Sequence, residues 1–470
     1  MSPARKFVVT AAARTAVARM EGLESRQMLS GTPLTLTEVP TANGTQLWIE
    51  SGNKSDSIFV TPGGRGVYLS NGGWTVRAKG TYESIHIRSG RGHDAVMVDS
   101  SFTLPVSVWG GLGDDTLIGG AGSDNLYGQL GADVLFGSDG DDTLVNLGDS
   151  RSDRSTGGAG FDSFWSDDAF SEQIVDASMD EVTASAVQRV DRFHAFSKLR
   201  KGDLRAARAG VDLTGEDLPD PLLSLDGSHD PYVSYHNFAD RPLFASGGPS
   251  PDDVGQGAVG DCWYLASLAS MATTDPDSIR RSVTELGDGT YAVRFVDEAG
   301  SPAYVRVDAD LPVTSWGTMQ YADLGAEGSL WVAIMEKAYA TYRYGGLASY
   351  SDLDGGWMSE AFDDLGYINT AIWDADDGQD LLGQIDGHVR AGRAVTIAIY
   401  TPFEDSPLIG SHAYSVLGVE TDANGVYTMI LHNPWGIDGA GVDESDDGYV
   451  RVTAAQAFGS YWGVISADLA

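Results

Sequence analysis

The sequence predicts two folds in one chain: an all-β parallel solenoid (a β-roll) towards the N-terminus, then an α+β unit that fills the second half. Three observations predict this. A nonapeptide with Gly at its first and fourth places, Asp at its sixth and Leu at its eighth recurs four times from Gly110 to Val145. Short β-branched runs broken by Gly, Asn, Pro and Ser precede it. From Asp253 onward, a helix-like apolar run comes first and strand-like runs come after it.

Composition narrows the function. A length of 470 residues implies two or three domains, and a hydrophobic content of 42% is enough for sizeable cores. The formal net charge of -37 argues against nucleic acid or an anionic membrane as partner, because either needs a basic face. It suits divalent cations where the acids fall at ligand-like spacing. The single cysteine, Cys262, excludes an internal disulfide. No run is long and apolar enough to span a bilayer. A monomer is expected.

Residues 1–31 read as an export-type segment. Arg5, Lys6, Arg14 and Arg19 surround the apolar run Phe7–Ala13, and Leu23-Glu24-Ser25-Arg26-Gln27-Met28-Leu29-Ser30-Gly31 resembles a short export motif of bacterial surface proteins. A secreted or cell-surface location is expected from it, with a cytoplasmic one as the alternative.

Residues 32–165 read as the solenoid. Runs such as Leu47–Ile49, Ser57–Val60, Gly66–Leu69, Ser84–Ile87 and Ala95–Val98 recur at rung-like intervals. The nonapeptides then start at Gly110, Gly119, Gly128 and Gly137, the last two without Gly at the second place. Glycines allow tight left-handed turns with inward carbonyls. The sixth-place carboxylates, Asp115, Asp124, Asp133 and Asp142, add charge to that oxygen cage, as a hard cation such as Ca²⁺ requires. The eighth-place Leu points into the core. Looser copies lie at Gly90–Val96 and Gly157–Phe164. The run resembles the hemolysin-type, or repeat-in-toxin, calcium-binding family, which implies a parallel β-roll. Its length suggests a small roll of about two full rungs.

Residues 166–250 form a helical linker or pro-like region. Helical spacing runs from Glu172 to Asp203, and a basic knot of Lys198, Arg200 and Lys201 lies near its end, with Arg205 and Arg208 beyond. Leu213–Pro251 is rich in Pro, Gly, Asp and Ser and reads as linker or surface wrapping.

Residues 251–470 carry the chemistry. The glycine-rich turn Gln256-Gly257-Ala258-Val259-Gly260-Asp261 leads into Cys262, and an apolar helix-like run continues from it. A cysteine at a helix N-terminus meets free N–H groups and the positive end of the dipole, both of which favour an anion there. Far downstream, His412 opens a strand-like run and Asn433 ends another, with Pro434 and Trp435 next to it. The order and content of these blocks resemble the calpain family of cysteine proteases. So do Asp308–Val313, Leu330–Ala340 and Gly355–Phe362. The resemblance implies a papain-like core of two lobes, about 250–350 and 355–470, with a cleft for an extended polypeptide. It implies Cys262 as nucleophile, His412 as base and then acid, Asn433 as its orienting group, and Gln256 as oxyanion donor, acting through a thioester acyl-enzyme on protein substrates. Ser411 stands where the family has Gly before the histidine, and His432 where it has a basic residue. His432 is not favoured as the catalytic imidazole, because the Ala-Tyr-Ser context belongs to His412. Glu336 and Lys337 are read as packing or ion-pairing residues, and His388 as a surface residue. The competing function class is a calcium-dependent surface adhesin or scaffold with an inactive protease-like core.

Overall fold

The computed structural model describes residues 5–8, 33–41, 43–147, 152–168, 172–193, 218–223, 232–343, 348–372, 374–403, 406–439 and 446–469. The motif at 23–31 and the basic knot at 198–208 lie outside the described residues. Contacts divide the chain into two units; among the described residues the first holds those up to Arg192 together with Leu286–Asp288, and the second holds the rest.

The first unit is the expected solenoid, built, among the described residues, from two sheets of nine and eight strands. The nonapeptide dictates its geometry. Each repeat supplies one strand and one turn, so successive repeats fall on alternate sheets and pair in parallel with the repeat after next: Leu117 beside Leu135, and Leu126 beside Leu144. All four eighth-place leucines are fully buried between the sheets. Removing one of these side chains costs about 2–5 kcal/mol at a site this closed. Gly113 shows why the turns need glycine. Its φ is +127°, and a Cβ there would lie 1.8 Å from the carbonyl oxygen of Gly92 in the rung before.

Two departures from the expectation are informative. The roll is longer than two rungs. Strands without the full glycine signature, including Ser84–Arg88 before the repeats and Ser163–Asp167 after them, stack in the same parallel register. Stacking needs only inward apolar residues and compatible turns, so it outlasts the glycine pattern. Of the helix expected over Glu172–Asp203, residues 194–203 lie outside the described residues, and the described part, residues 172–193, is helical only at Met179–Thr183. Around it, Gln173–Ile174 and Val187–Val190 add parallel strands to the two sheets, beyond the expected end at 165. The apolar spacing there fitted either structure. The template of strand edges left by the preceding rung favours strands.

The second unit has the papain-like α+β architecture. Its first core packs the helix Cys262–Thr274 and the helix Trp331–Tyr342 against the antiparallel strands Val283–Glu285, Thr290–Val296 and Pro302–Asp308. Both helices are apolar almost all round, as helices inside a core must be. The second core is a six-stranded antiparallel sheet whose inner face is covered by the helix Gly378–Arg390. Ser270 Oγ of the cysteine helix donates to the Val395 carbonyl of that sheet at 3.0 Å, which ties the lobes together.

The stretch before Asp253 does not behave as a loose linker where it is described. Lys337 is 1% exposed, and its Nζ donates to Asp220 Oδ1, Asp308 Oδ1 and the Asp310 carbonyl, each at 2.6 Å. Val233–Asn237 pairs antiparallel with Asp310–Thr314. A buried ammonium needs this number of oxygen partners, so the described residues 218–223 and 232–237 are fastened to the first core of this unit. His388 lies on the helix Gly378–Arg390 with intermediate exposure, its Nδ1 2.9 Å from Ser466 Oγ.

Candidate active site and carboxylate ladders

Cys262 is the first residue of its helix, and the turn before it is held from several sides. Gln256 N–H donates to the Pro434 carbonyl (2.7 Å), Ala258 N–H to the Gln320 carbonyl (2.9 Å) and Gly355 N–H to the Gly260 carbonyl (2.9 Å). A Cβ on Gly257 would lie 2.2 Å from the Tyr321 carbonyl oxygen, so the close approach requires glycine. The first of these bonds joins the cysteine turn directly to the turn just after Asn433.

His412 opens the strand His412–Thr421, and Asn433 comes directly after the strand Tyr427–His432 that pairs with it. The pairing brings the two side chains together: His412 Nε2 and Asn433 Oδ1 are 2.8 Å apart, both buried. Oδ1 must accept, because Asn433 Nδ2 donates to the Ile437 carbonyl and Trp435 N–H donates to the same Oδ1. His412 is therefore the Nε2–H tautomer, leaving Nδ1 as the basic nitrogen. The Trp435 ring lies against the imidazole at 4.5 Å, and Tyr414 meets it edge-on at 5.0 Å. Both rings exclude water from the His–Asn bond.

Next in the strand, the Ala413 N–H reaches the Cys262 thiol, so the cysteine abuts the residue adjoining His412. Burial pushes the thiol up to about 11, opposed by that N–H and reinforced by Asp261. Burial also pushes His412 down to about 4, against the bond to Asn433. Both shifts favour a neutral thiol and a neutral imidazole at rest. Gln256 Nε2 donates to the Val259 carbonyl at 2.6 Å and retains a second N–H. His432, by contrast, is turned away: its ring packs on Tyr449 at 5.5 Å. Ser411 adopts a φ of +52°, which explains why glycine suits the position before the histidine.

The sixth-place aspartates lie in two ladders inside the solenoid. In one, Asp94 N–H donates to Asp115 Oδ1 (2.7 Å), Asp115 N–H to Asp133 Oδ1 (2.8 Å), Asp133 N–H to Asp153 Oδ1 (2.7 Å) and Asp153 N–H to Glu172 Oε1 (3.3 Å). In the other, Asp124 N–H donates to Asp142 Oδ1 (2.8 Å), Asp142 N–H to Asp162 Oδ1 (3.0 Å) and Asp162 N–H to Glu181 Oε1 (2.8 Å). Sequence reasoning did not assign Asp153, Glu172 or Glu181. The sequence Ser178-Met179-Asp180-Glu181 carries a signal for the last, since Ser178 and Glu181 form a capping box.

These ladders fit a hard cation. Asp115 Oδ2 and Asp142 Oδ2 are buried without a hydrogen-bond partner. Burial raises Asp115 and Asp124 to about 7 and Asp142 to about 8. The space beside Gly137 is walled by Asp142 Oδ2 and the Gly157 carbonyl oxygen, and that beside Gly119 by Asp124 Oδ2 and the Gly137 carbonyl oxygen. Such a donor set is mostly carbonyl with one carboxylate per turn. Among the described residues, no cluster of three or more His, Cys, Asp or Glu side chains could hold a metal ion.

Residues 233–447 match the calpain family cysteine protease profile, and residues 109–144 match the RTX calcium-binding nonapeptide repeat in four copies. A calpain of Schistosoma mansoni is 31% identical over 217 residues, which is 43% of this chain and 28% of that protein. A calpain-type cysteine protease of Oryza sativa is 30% identical over 220 residues, 42% of this chain and 10% of that protein. The human calpain-2 catalytic subunit is 33% identical over 212 residues, 42% of this chain and 29% of its own length. The chain therefore spans less than a third of the length of these relatives. A solved proform of the ragweed Amb a 11 cysteine protease aligns with 53% of this chain and 71% of its own at 14% identity and a TM-score of 0.21, too remote to carry weight.

Proposed function

From the premise that the chain carries a calpain-family cysteine protease domain and four RTX calcium-binding repeats, we propose that it is a calcium-associated cysteine endopeptidase acting on polypeptides. The observation that carries this reading is the His412–Asn433 bond of 2.8 Å beside a thiol seated at a helix N-terminus.

Cys262 is the nucleophile. His412 Nδ1 takes the thiol proton as Sγ attacks the scissile carbonyl carbon, so charge develops only as the bond forms. Asn433 keeps the imidazole in the required tautomer and takes up the Nε2–H of the imidazolium that results. The second N–H of Gln256 and the backbone N–H of Cys262 stabilise the oxyanion. Collapse breaks the C–N bond, and the leaving amine receives the proton from His412. Water then enters, His412 takes its proton, and the thioester is hydrolysed to the acid and the free thiol.

Asp115, Asp124, Asp133 and Asp142, with glycine carbonyls of the turns, would hold Ca²⁺ in the solenoid. The ion supplies countercharge to buried carboxylates and takes no part in acyl transfer. The RTX repeats support export to a calcium-rich exterior. Cleavage of an unfolded protein by the intact chain, with Cys262→Ala as control and with calcium or chelator, tests the proposal. Loss of cleavage in the variant is expected; equal cleavage by both proteins contradicts it.

A further inference from the structure

Two buried carboxylic groups beneath the cysteine turn have no part in the chemistry above. Asp261 is 0% exposed and Glu336 1%. Asp261 occupies the N-cap position of the Cys262 helix, where an aspartate ordinarily accepts a backbone N–H of the first turn, yet its side chain makes no such bond. Among the described residues, neither Asp261 oxygen makes a hydrogen bond of ordinary geometry to an N–H or hydroxyl donor, although the Gln256 amide and the N–H of Asp261 itself approach closely enough to lower its pKa, and the buried Oε1 of Gln256 has no donor. The Asp261 carboxyl lies instead in hydrogen-bonding contact with that of Glu336 and beside the Gln256 amide. Both Glu336 oxygens are aimed at a single donor, the Ala322 N–H, at 3.2 and 3.0 Å.

Among the described residues, the surroundings supply no cation. The groups acting on the pair are Asp354 and Asp323 from neighbouring loops, and Gln256 from the cysteine turn. Tyr264, Tyr321, Tyr350 and Tyr235 feel the Glu336 charge, and Cys262 feels that of Asp261. Lys337, the next residue in the helix, is bonded to Asp220, Asp308 and the Asp310 carbonyl. Two carboxylates in contact, dry and without a cation, cannot both be ionised.

We propose that Asp261 and Glu336 share a proton, and that this proton-bridged pair positions Gln256 and the first turn of the cysteine helix for peptide-bond cleavage. Burial raises Asp261 to about 7 against the hydrogen bond from Glu336, whereas burial, the Asp261 charge and that same bond all raise Glu336 well above the usual carboxylate range, so the shared proton resides chiefly on Glu336. The bridge explains the missing cap: with the Asp261 carboxyl held by Glu336, the Cys262 and Trp263 N–H groups are left to face a thiolate or oxyanion, while the Tyr264 N–H donates to the Asp261 carbonyl at 2.8 Å. Loss of the bridging proton leaves two repelling charges under Cys262, moving the oxyanion donor and disfavouring the thiolate. Both are positioning residues, since neither reaches the substrate.

The inference rests on the peptidase reading, and its test separates the two. Full-length wild type, Glu336→Gln, Glu336→Ala and Cys262→Ala are compared from about pH 6 to about pH 10 by peptidase kinetics and by iodoacetamide alkylation of Cys262, with thermal unfolding as a check on folding. Glutamine provides a permanent N–H in place of the shared proton. In the wild type, kcat falls at least about tenfold on the alkaline side while KM changes less than about twofold. Glu336→Gln abolishes that fall and keeps neutral-pH kcat within about threefold; Glu336→Ala loses about 30-fold or more at every pH. Alkylation rises less steeply with pH in wild type than in Glu336→Gln. An unchanged alkaline fall in Glu336→Gln, or a fully active Glu336→Ala, overturns the pair. Should Glu336→Ala fail to fold, the glutamine variant decides. If no protein cleaves substrate but the two alkylation profiles diverge as described, the peptidase reading fails and the pair stands; identical profiles overturn the pair.

Discussion

In the solenoid, each carboxylate finds its hydrogen-bond partner at the matching position one rung away, as Asp133 does with Asp115 and Asp142 with Asp124, both at a separation of 18 residues. In the protease unit, Cys262 comes from a helix, while His412 and Asn433 come from the ends of two strands in the other lobe. The first arrangement is translational: one solution repeated until the stack ends. The second depends on two packed cores holding a few atoms in one place. The two regions should therefore fail differently. Solenoid substitutions should be graded and reversed by calcium, whereas active-site substitutions should be steep and indifferent to it.

The steepest break is Cys262→Ala, which should lower cleavage at least about 10³-fold and leave the calcium-induced rise in the unfolding midpoint unchanged. Asn433→Ala comes next. It removes the acceptor that fixes the His412 tautomer, and kcat should fall about 10²-fold with KM nearly constant. The reciprocal break is Asp124→Ala with Asp142→Ala. Calorimetry should show the calcium-dependent stabilisation falling by about 1–3 kcal/mol per carboxylate removed, while cleavage by the folded chain persists.

This contrast also governs what the sequence revealed. Asp115, Asp124, Asp133 and Asp142 were legible because periodicity states the spacing, the turn and the buried leucine together. Cys262, His412, Asn433 and Gln256 were legible only through blocks whose order resembles a family, since no local rule pairs a helix start with two strand ends. Asp153 and Glu172 escaped because their rungs lack the glycine pattern, although the ladder continues through them. The Asp261–Glu336 contact escaped because Asp261 reads only as part of the turn before Cys262, and Glu336 as a packing or ion-pairing residue of a distant helix. Only the packing of the two helices buries them together.

Acidity should affect the two regions in opposite ways. In the protease unit His412 titrates at about 4, so kcat/KM should lose its base only as the pH falls to about 4, with no inflection at the ordinary imidazole value. In the solenoid the folded-state values of Asp115, Asp124 and Asp142 are raised above the unfolded one. Without calcium their contribution to stability is full below about pH 3.8 and is lost as the pH rises through about 7 to 8. Unfolding curves in chelator should show this loss, and calcium should reverse it.

The smallest effects concern glycines that are missing. Ser138, at the second place of a nonapeptide, has φ +91°, and Ser411 has φ +52°. Ser411→Gly should relieve about 1 kcal/mol, less the extra entropy of an unfolded glycine. Ser138→Gly should gain less, because its hydroxyl donates to the Gly119 carbonyl at 3.0 Å. Denaturant titration of each variant reads the difference.

Covalent labelling tests the central claim most directly. The intact chain is treated with an electrophilic peptide inhibitor of cysteine proteases, and the adduct is located by mass spectrometry alongside cleavage of an unfolded protein. The account predicts one adduct, on Cys262, forming in step with loss of cleavage and abolished in His412→Ala. Cleavage that continues after Cys262 is fully labelled, or Cys262→Ala protein that cleaves as wild type does, would contradict it.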